Sequence, residues 1–322
     1  MINPQYHLIV VTPVFEDVDA SERLFEALAA KFSSAVYVIA VDDGSVHHPL
    51  EASVLSNVGV EGVVLKLRSN VGHQRAIAIG LAYVSERAVD EPMVVVMDSD
   101  GEDLPDTIPA LLARLESDDF DIVVAQRKRR VETMKFKLFY FIYKALFRLL
   151  TGKKISFGNF MALKLGAVRR LVAMQELGIH VAGTVLASRL RTGFCPLDRG
   201  TRYAGQSKMN FVGLVLHGFK GLMIFAEDVL VRVGIACALV ASLSVAGIAL
   251  AILLKAFGFA TPGWFSVVLG ILFLVLLQTG ALTLMTLMLT GVVRGGTVAS
   301  TMTYLNFIEA ELPARALRAA SK

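Results

Sequence analysis

Three acidic side chains alternate along one short segment of the chain. Asp98, Asp100 and Glu102 lie in the sequence DSDGED, directly after the apolar run 93–97. Carboxylates at alternate positions of an extended segment point the same way, and such oxygen ligands suit Mg²⁺ or Mn²⁺. A cation held there would neutralise a bound diphosphate. We therefore expect these three residues to hold Mg²⁺ or Mn²⁺, although one acidic loop alone is weak support.

Polar clusters follow other short apolar runs as well. They are Thr12–Asp17, Asp42–Ser45, Arg68–Gly72 and Gln126–Arg130. Ligands of open α/β sheets bind beyond the carboxyl ends of the strands. Ordinary loop chemistry would explain any one cluster, but five at successive strand ends indicate a single site.

The elements that position these clusters follow from periodicity. Apolar runs at 8–14, 36–41, 62–67, 93–97 and 122–125 alternate with helical patterns at 19–32, 73–84 and 106–116. Strands alternating with helices predict βαβ units, hence an α/β class with a Rossmann-like, mostly parallel sheet. The continuous apolar character of the strands favours a sheet covered on both faces. His73 starts the second helical pattern, where we expect a structural role.

Composition divides the chain between two solvents. Of its 322 residues, 55% are hydrophobic and 19% charged, and the mean hydropathy is +0.60. Soluble domains have about 45–50% apolar and about 25% charged residues. The excess lies in 234–293, where Lys255 is the single charged residue. These values exclude a disordered chain, a disulfide scaffold and a purely cytosolic enzyme, and Cys195 and Cys237 read as two unpaired thiols.

The apolar region predicts two transmembrane helices. Residues 234–254 would form about 31 Å of helix and 264–293 about 45 Å, against a hydrocarbon core of about 30 Å. Lys220 and Arg232 precede the pair, and further basic residues follow it: Arg294, Arg315, Arg318 and Lys322. The positive-inside rule therefore places both ends, and the large domain, in the cytoplasm. We expect 294–322 to be a short cytosolic tail and see no signal peptide at the N-terminus.

A basic segment precedes the hairpin. Residues 127–154 contain ten basic residues and one acid, a net charge of +9. Within it, 134–151 mixes aromatic and basic residues at helical spacing, as in a helix lying in a membrane interface. A core helix with a solvated basic edge is the alternative. Residues 211–233 are apolar but interrupted by charge, which predicts a juxtamembrane amphipathic segment.

Four motifs in order carry a resemblance to a known family. VTPVFED, VDDGS, SNVGHQRAIAIGL and DSDGEDLPDTIP resemble the inverting glycosyltransferases of family 2, which have the GT-A fold. The C-terminal hairpin narrows the resemblance to the polyisoprenyl-phosphate glycosyltransferases, and Arg202–Lys208 fits their R-x-x-G-x-S-K element. The resemblance covers roughly residues 7–293 and makes 1–210 the catalytic domain.

The resemblance implies a role for each matching residue. Those of the nucleotide-sugar pocket are Pro13, Glu16, Asp42, Asp43, Asp98 and Asn159. The metal and diphosphate ligands are Asp98, Asp100 and Glu102, and the groups that grip the acceptor phosphate are Arg127, Arg202, Ser207 and Lys208. We expect the catalytic set to be Asp100, Arg127, Arg202 and Lys208.

The chain departs from the family pattern at three places. Asn159 stands where the family often has Asp, and Glu102 where it usually has Gln. A homo-oligomer is also implied, but residues 290–296 differ from the family segment that follows the second span. The family's oligomer contacts are therefore not carried over to this chain.

The expected activity is transfer of a hexose from a nucleotide sugar to a polyprenyl (undecaprenyl) phosphate at the cytoplasmic face of the inner membrane. The acceptor phosphate is already anionic, so no general base is needed. UDP-glucose or a related donor is favoured, and GDP-mannose is the alternative. The partners are then the donor, the lipid phosphate and the bilayer, without nucleic acid.

Three other readings compete with this activity. A non-catalytic membrane-anchored scaffold that binds nucleotide sugars is the main rival. A nicotinamide-dependent oxidoreductase is excluded because no G-x-G-x-x-G follows the first strand. A processive polysaccharide synthase is disfavoured because its QxxRW motif needs a tryptophan, and Trp264, the single one, lies in the second span.

Overall fold

The computed structural model describes residues 2–3, 5–127, 144–154, 157–203, 211–259, 263–294 and 304–315. The strands are β1 Leu8–Val14, β2 Val36–Asp42, β3 Glu61–Leu67, β4 Met93–Val96, β5 Ile122–Arg127, β6 Met161–Leu163, β7 Thr192–Leu197 and β8 Ile308–Ala314. The first helices are α1 Val18–Phe32, α2 Ala52–Asn57, α3 His73–Arg87, α4 Ile108–Ser117, α5 Leu165–Val172 and α6 Val181–Ala187. They are followed by α7 Phe211–Met223, α8 Ala226–Ala256 and α9 Trp264–Arg294.

The strands form one mixed sheet in the order β7-β5-β6-β4-β1-β2-β3-β8. β4, β1, β2 and β3 are mutually parallel, so their carboxyl ends lie at one edge. β6 runs antiparallel to both β4 and β5, which makes those two strands co-directional. The predicted α/β class with a mostly parallel sheet is confirmed. Because β6 links β4 to β5, the carboxyl end of β5 lies at the same edge of the sheet as those of the other four predicted strands.

Two hydrophobic cores cover the two faces of the sheet. Alternate side chains of β1 separate, with Ile9 and Val11 in one core and Leu8 and Val10 in the other, as the two-residue period of a strand requires. One core includes the buried face of α3 and residues of α5. The other includes Leu24, Phe25 and Leu28 of α1 together with residues of α4.

The C-terminal region corrects one expectation. Residues 294–322 were predicted to be a tail, but β8 pairs antiparallel with β3, from Gly62↔Ala314 to Leu67↔Ile308. Glu311 accepts hydrogen bonds from Tyr83 (2.8 Å) and Arg87 (3.1 Å) of α3. The sequence of β8 carries only a weak strand signal. Pairing with the edge of β3 makes this segment a strand, along which more and less exposed side chains alternate.

The chain divides into two compact units. The α/β unit comprises Met1–Phe139, Ile155–Ile224 and Val298–Lys322, and the hairpin unit comprises Tyr140–Lys154 and Phe225–Thr297. The predicted boundaries shift accordingly. Segment 211–233 is divided, with α7 in the α/β unit and the start of α8 in the hairpin unit.

The hairpin unit consists of two long apolar helices and a short basic piece. α8 and α9 extend past the predicted spans 234–254 and 264–293, and both have the length and hydropathy to cross a membrane. Residues 144–151, the described part of the predicted interfacial helix 134–151, are helical. Phe147 packs edge-on against Phe225 with ring centroids 5.9 Å apart, and Arg232 donates to the Leu149 carbonyl at 3.1 Å.

Candidate active site

The ends of β1, β2 and β3 are joined by the buried residue Asp43. Its two oxygens accept from the backbone N–H groups of Val71 (2.7 Å) and Gly72 (3.0 Å), just beyond β3. Its own N–H donates to the Val14 carbonyl at 2.8 Å. Burial raises the pKa of Asp43, while the two backbone donors act in the opposite direction. Three of the predicted polar clusters therefore meet at one buried residue, through its carboxylate and its backbone N–H.

Asp42 holds the loop that follows β2. Its carboxylate accepts from the Ser45 and Leu50 N–H groups, both at 3.0 Å. Gly44 between them has φ +70°, and a Cβ there would lie 2.6 Å from the Asn70 nitrogen. The DDGS sequence thus needs a glycine where the loops after β2 and β3 approach each other.

Glu16 clamps the same loop from the β1 side. Its carboxylate accepts from the N–H groups of Val46 (2.6 Å), His47 (3.0 Å) and His48 (2.8 Å). These backbone hydrogen bonds lower the pKa of Glu16 to about 2. Glu16 itself has φ 47°, a costly conformation for a non-glycine residue. The carboxylate therefore shapes the pocket wall and remains charged throughout the physiological range.

The acidic segment after β4 meets two arginines. Arg202 lies 2.7 Å from Asp100 and 3.1 Å from Glu102, and Arg199 also pairs with Glu102. Gly101, at φ +86°, allows the Tyr203 ring to lie where a Cβ would clash at 2.6 Å. We call Asp98, Asp100, Glu102, Arg199 and Arg202 the charged ledge.

The ledge carboxylates are partly desolvated. Burial raises the pKa of Asp100, and the nearby charge of Asp98 adds to this, while Arg202 and Arg199 oppose it. Burial lowers the pKa of Arg199, against the attraction of Asp100 and Asp98. Two guanidinium groups therefore lie among three carboxylates at close range, in a place where an unpaired charge would be costly.

A chain of amide hydrogen bonds leads from α6 to the ledge. The Val181 N–H donates to Gln74 Oε1 at 2.7 Å, so Gln74 Nε2 must face Asn159 Oδ1, at 3.3 Å. Asn159 Nδ2 then faces His73 Nε2 at 3.0 Å. Because a backbone N–H can only donate, it fixes the orientation of both side-chain amides. We call Val181, Gln74, Asn159 and His73 the amide relay.

The relay ends at Asp98. His73 Nε2 also lies 3.1 Å from Asp98 Oδ1. This nitrogen accepts from the Asn159 amide when it is unprotonated and donates to Asp98 when it is protonated, so the two hydrogen bonds alternate. Partial desolvation lowers the pKa of His73, but the charge of Asp98 and its hydrogen bond outweigh this and the net pKa is raised. His73 therefore lies between Asn159 and the first carboxylate of the ledge, and its raised pKa favours the hydrogen bond to Asp98.

A histidine pair supports the other end of the relay. His180 caps α6 by accepting the Gly183 N–H at 2.9 Å, and its ring stacks on His217 of α7 with centroids 4.5 Å apart. Burial, His217 and Lys220 lower the pKa of His180 to about 4. Burial and neighbouring cations also lower the pKa of His217. Both rings are therefore neutral at pH 7.

The carboxylates of the ledge offer the donors of a metal site. The oxygens of Asp98, Asp100 and Glu102 suit a hard divalent cation. Among the residues that the structure describes, no group of three or more His, Cys, Asp or Glu is arranged as a metal site. Arg202 and Arg199 supply the positive charge instead. The donor set fits Mg²⁺ or Mn²⁺ in its chemistry, while the two arginines pair with Asp100 and Glu102.

The predicted site residues fall into three groups. Six of them lie in the ledge or beside it, where a small cavity is lined by Asp98, Glu102 and Asn159. The other three are Asp100, Arg202 and Pro13, whose carbonyl accepts a hydrogen bond from Ser99 Oγ at 3.2 Å. Glu16, Asp42 and Asp43 form the loop wall described above. Ser207, Lys208 and the side chain of Arg127 lie outside the described residues, although the Arg127 backbone ends β5 opposite Leu197.

Sequence reasoning missed several residues of the site. Arg199 pairs with Glu102, Asp103 accepts the Asp98 N–H at 3.0 Å, and Gln126 lines the cavity beside Asp98 and Asn159. His73 and Gln74 are part of the SNVGHQR motif, but periodicity showed only that a helix begins there. The position of Arg199 depends on how the chain after β7 folds over the acidic segment, which no local pattern reveals.

The parallel strands, the β6 crossover and the carboxylates at their edge define a mixed α/β sheet of the GT-A type. A family model described as Glycosyl transferase family 2 matches residues 9–162. Residues 9–162 therefore match a family 2 glycosyltransferase domain, which confirms the resemblance stated from the motifs.

Curated relatives were found in several Salmonella strains. The undecaprenyl-phosphate 4-deoxy-4-formamido-L-arabinose transferase of Salmonella dublin is 27% identical over 216 residues, covering 64% of this chain and 63% of the relative. That of Salmonella choleraesuis is 26% identical with the same coverage. The chain thus spans about 63% of the length of these relatives.

Similar solved structures share low sequence identity with the chain. Glucosyl-3-phosphoglycerate synthase from Mycobacterium tuberculosis, in complex with Mn²⁺ and UDP-glucose, has a TM-score of 0.49 at 15% identity, covering 70% of this chain and 79% of that one. Mannosyl-3-phosphoglycerate synthase from Rubrobacter xylanophilus has a TM-score of 0.47 at 15% identity, with 69% and 73% covered.

Proposed function

We propose that this protein is a membrane-bound glycosyltransferase that moves a sugar from a nucleotide donor to a polyprenyl phosphate. The observation that carries the proposal is the contact of Arg202 with Asp100 and Glu102. Arg202 is the first residue of the R-x-x-G-x-S-K element, so this element reaches the carboxylates expected at the donor diphosphate. The curated relatives, named for undecaprenyl phosphate, support the acceptor class.

The reaction needs positioning and charge neutralisation more than proton transfer. An anionic oxygen of the acceptor phosphate attacks the anomeric carbon, the new C–O bond forms with inversion, and the bond to the diphosphate oxygen breaks. The nucleoside diphosphate leaves with the bonding electrons. Because no hydroxyl is deprotonated, no general base is required. Fixed charges aimed at the departing diphosphate supply the catalysis.

The residues of the α/β unit divide this work. Asp43, Asp42 and Glu16 order the loops that form the nucleotide pocket. Asp98, Asp100 and Glu102 would hold Mg²⁺ or Mn²⁺, which when bound neutralises the leaving diphosphate. Arg202 and Arg199, released from the carboxylates, would face phosphate oxygens. Asn159 would present its amide to the sugar.

The connectivity supports a hairpin that crosses the membrane twice. α7 and β8 belong to the α/β unit, and the chain between them runs through α8 and α9. Two crossings return the chain to its starting side, as one folded unit requires. The basic residues that flank the helices favour the cytoplasmic side for the α/β unit and the inner membrane as location.

Thiol labelling tests this orientation. In a chain with Cys195 and Cys237 replaced by serine, Phe259→Cys beyond α8 should react with an impermeant reagent added to intact cells. Ser117→Cys at the end of α4 should react only after lysis. The opposite pattern would reverse the orientation.

The donor and acceptor are tested together with the full chain in lipid nanodiscs. Radiolabelled UDP-glucose, GDP-mannose and a nucleotide-linked 4-deoxy-4-formamido-L-arabinose are each offered with undecaprenyl phosphate. We expect a lipid-linked product from one donor, with UDP-glucose favoured, and loss of product in excess chelator. Arg202→Gln should abolish product, and the surface variant Arg114→Gln should retain it. Donor binding without turnover would support the scaffold reading, and product in chelator would contradict the metal.

A further inference from the structure

The end of the hairpin carries a groove with a lysine at its mouth. Ile248 and Lys255 of α8 line it on one side, and Phe265, Ser266, Leu269, Gly270 and Phe273 of α9 on the other. Its volume is about 490 Å³, within the range of about 300–1,000 Å³ of small-molecule sites. A Cβ added at Gly270 would meet nothing within 4 Å, so this glycine leaves the groove open.

The groove changes from polar to apolar along its length. Lys255 and Ser266 lie near the helix ends where the chain turns. Ile248 lies seven residues before Lys255 and Phe273 seven after Ser266, which places both about 10 Å deeper at 1.5 Å per residue. Trp264 begins α9, as expected for an aromatic residue at a membrane interface. A cationic mouth above an apolar floor matches an amphiphile with an anionic head.

Lys255 has no anionic partner on its own unit. Residues 229–297 contain no Asp or Glu. Glu227 and Asp228 lie in the first turn of α8, about 40 Å from Lys255 along the helix axis. The Lys255 Nζ lies 4.1 Å from the centroid of the Phe265 ring. The ammonium is thus held over the groove by a cation–π contact instead of extending away from the helices.

We propose that this groove binds a phosphate-bearing anionic lipid of the leaflet at the hairpin turn, with its phosphate on Lys255 and its chain over Leu269 and Phe273. The proposal rests on the hairpin spanning the membrane, as proposed above, but it goes beyond the transfer reaction. In the orientation given there, the lipid belongs to the leaflet opposite the α/β unit. It is therefore a site separate from the ledge.

Lipid retention by the full chain tests the proposal. The protein is reconstituted in nanodiscs of phosphatidylcholine and phosphatidylglycerol, released into detergent, and its bound lipids are counted by native mass spectrometry. Wild type should retain phosphatidylglycerol over phosphatidylcholine. Lys255→Gln should reduce retained phosphatidylglycerol about fivefold, the effect expected of one lysine near an anionic surface, and Lys255→Arg should retain it.

Two glycine variants of α9 separate the groove from general lipid contact. Gly270→Leu fills the groove and should lower retention as much as Lys255→Gln. Gly280→Leu is the matched control, because a Cβ at Gly280 also meets nothing within 4 Å and Gly280 does not line the groove. Inorganic phosphate should not displace the lipid, since the apolar floor binds its chain.

The outcomes keep this proposal distinct from the proposed function. Equal retention in wild type, Lys255→Gln and Gly270→Leu would overturn the lipid site while leaving glycosyl transfer intact. Displacement by inorganic phosphate would assign the lysine to a free anion and also overturn it. Release of the chain from membranes by alkaline carbonate would contradict the spanning hairpin, and the lipid site with it.

Discussion

The two units of this protein satisfy their polar groups in different ways. In the α/β unit, the ledge carboxylates meet arginines, and buried loop carboxylates meet backbone N–H groups. In the hairpin unit, Ser242, Ser244 and Thr279 bond to their own helix backbone, and Lys255 has no carboxylate to pair with. The α/β unit supplies partners for these charged groups itself, whereas Lys255 of the hairpin unit depends on the surroundings of that unit. The site for polar chemistry therefore lies in the first, and the lipid groove in the second.

Removal of β8 should have the largest effect, because it takes a paired strand out of the α/β unit. Deletion of 304–322 would expose the β3 edge, whose N–H and C=O groups would lose their ladder, and remove Tyr304 and Ala314 from the cores. We expect no stably folded α/β unit and rapid proteolysis of that region. Deletion of 316–322 alone should be tolerated. Equal protease resistance of both truncations would show that β8 is dispensable.

Breaking the charge balance of the ledge should have the next largest effect. Asp100→Asn removes a ligand for the proposed cation and a partner of Arg202, and we expect transfer to fall about 100-fold or more. The activity is followed with radiolabelled donor and undecaprenyl phosphate. Asp118→Asn, on the surface after α4, serves as the control. Full transfer by Asp100→Asn would contradict the role of the ledge.

The amide relay should have an intermediate effect. Gln74→Ala leaves the buried Val181 N–H without its acceptor, at a cost of about 1–3 kcal/mol. It also releases Asn159, so we expect transfer to fall about tenfold through misplacement of His73 and Asp98. Thermal unfolding and initial rates measure the two effects. The exposed Gln175→Ala should change neither, and an unaltered rate in Gln74→Ala would limit the relay to stability.

The smallest effect is expected at Glu16 and depends on pH. Its pKa is lowered to about 2 from an ordinary value of 4.5, so its stabilising contribution is complete above about 4.5 and is lost as pH falls through about 2. Glu16→Gln should lower the melting temperature by a few degrees at pH 7. The difference from wild type should shrink between pH 4.5 and 2. The exposed Glu26→Gln should show no such trend.

Much of the frame could be predicted from local pattern. β1 was predicted residue for residue as 8–14, and the other four predicted strands differ from the structure by one or two residues at one end. Apolar runs and turn residues are local signals, so they can be recognised in a single sequence. β6 and β7 were missed because three to six residues with little alternation give no reliable period.

The site was predictable in part for the same reason. The acidic segment, DDGS and Asn159 are visible in the sequence, and the parallel strands bring their loops to one edge. The contacts of Arg199 with Glu102, of Gln74 with Val181 and of Glu311 with Tyr83 join residues 97, 107 and 228 positions apart. Such contacts depend on long-range packing, which leaves no periodic trace.

The sequence by itself determined the α/β class, the carboxylates and arginines available for a diphosphate, and the two apolar helices, because composition and short-range spacing specify these properties. Only the tertiary structure decided that the C-terminal segment completes the sheet. It also decided that arginines pair with Asp100 and Glu102, that an amide relay leads to His73, and that Lys255 lies over a groove. Each of these depends on which distant groups come within hydrogen-bonding or van der Waals distance, and folding alone sets those distances.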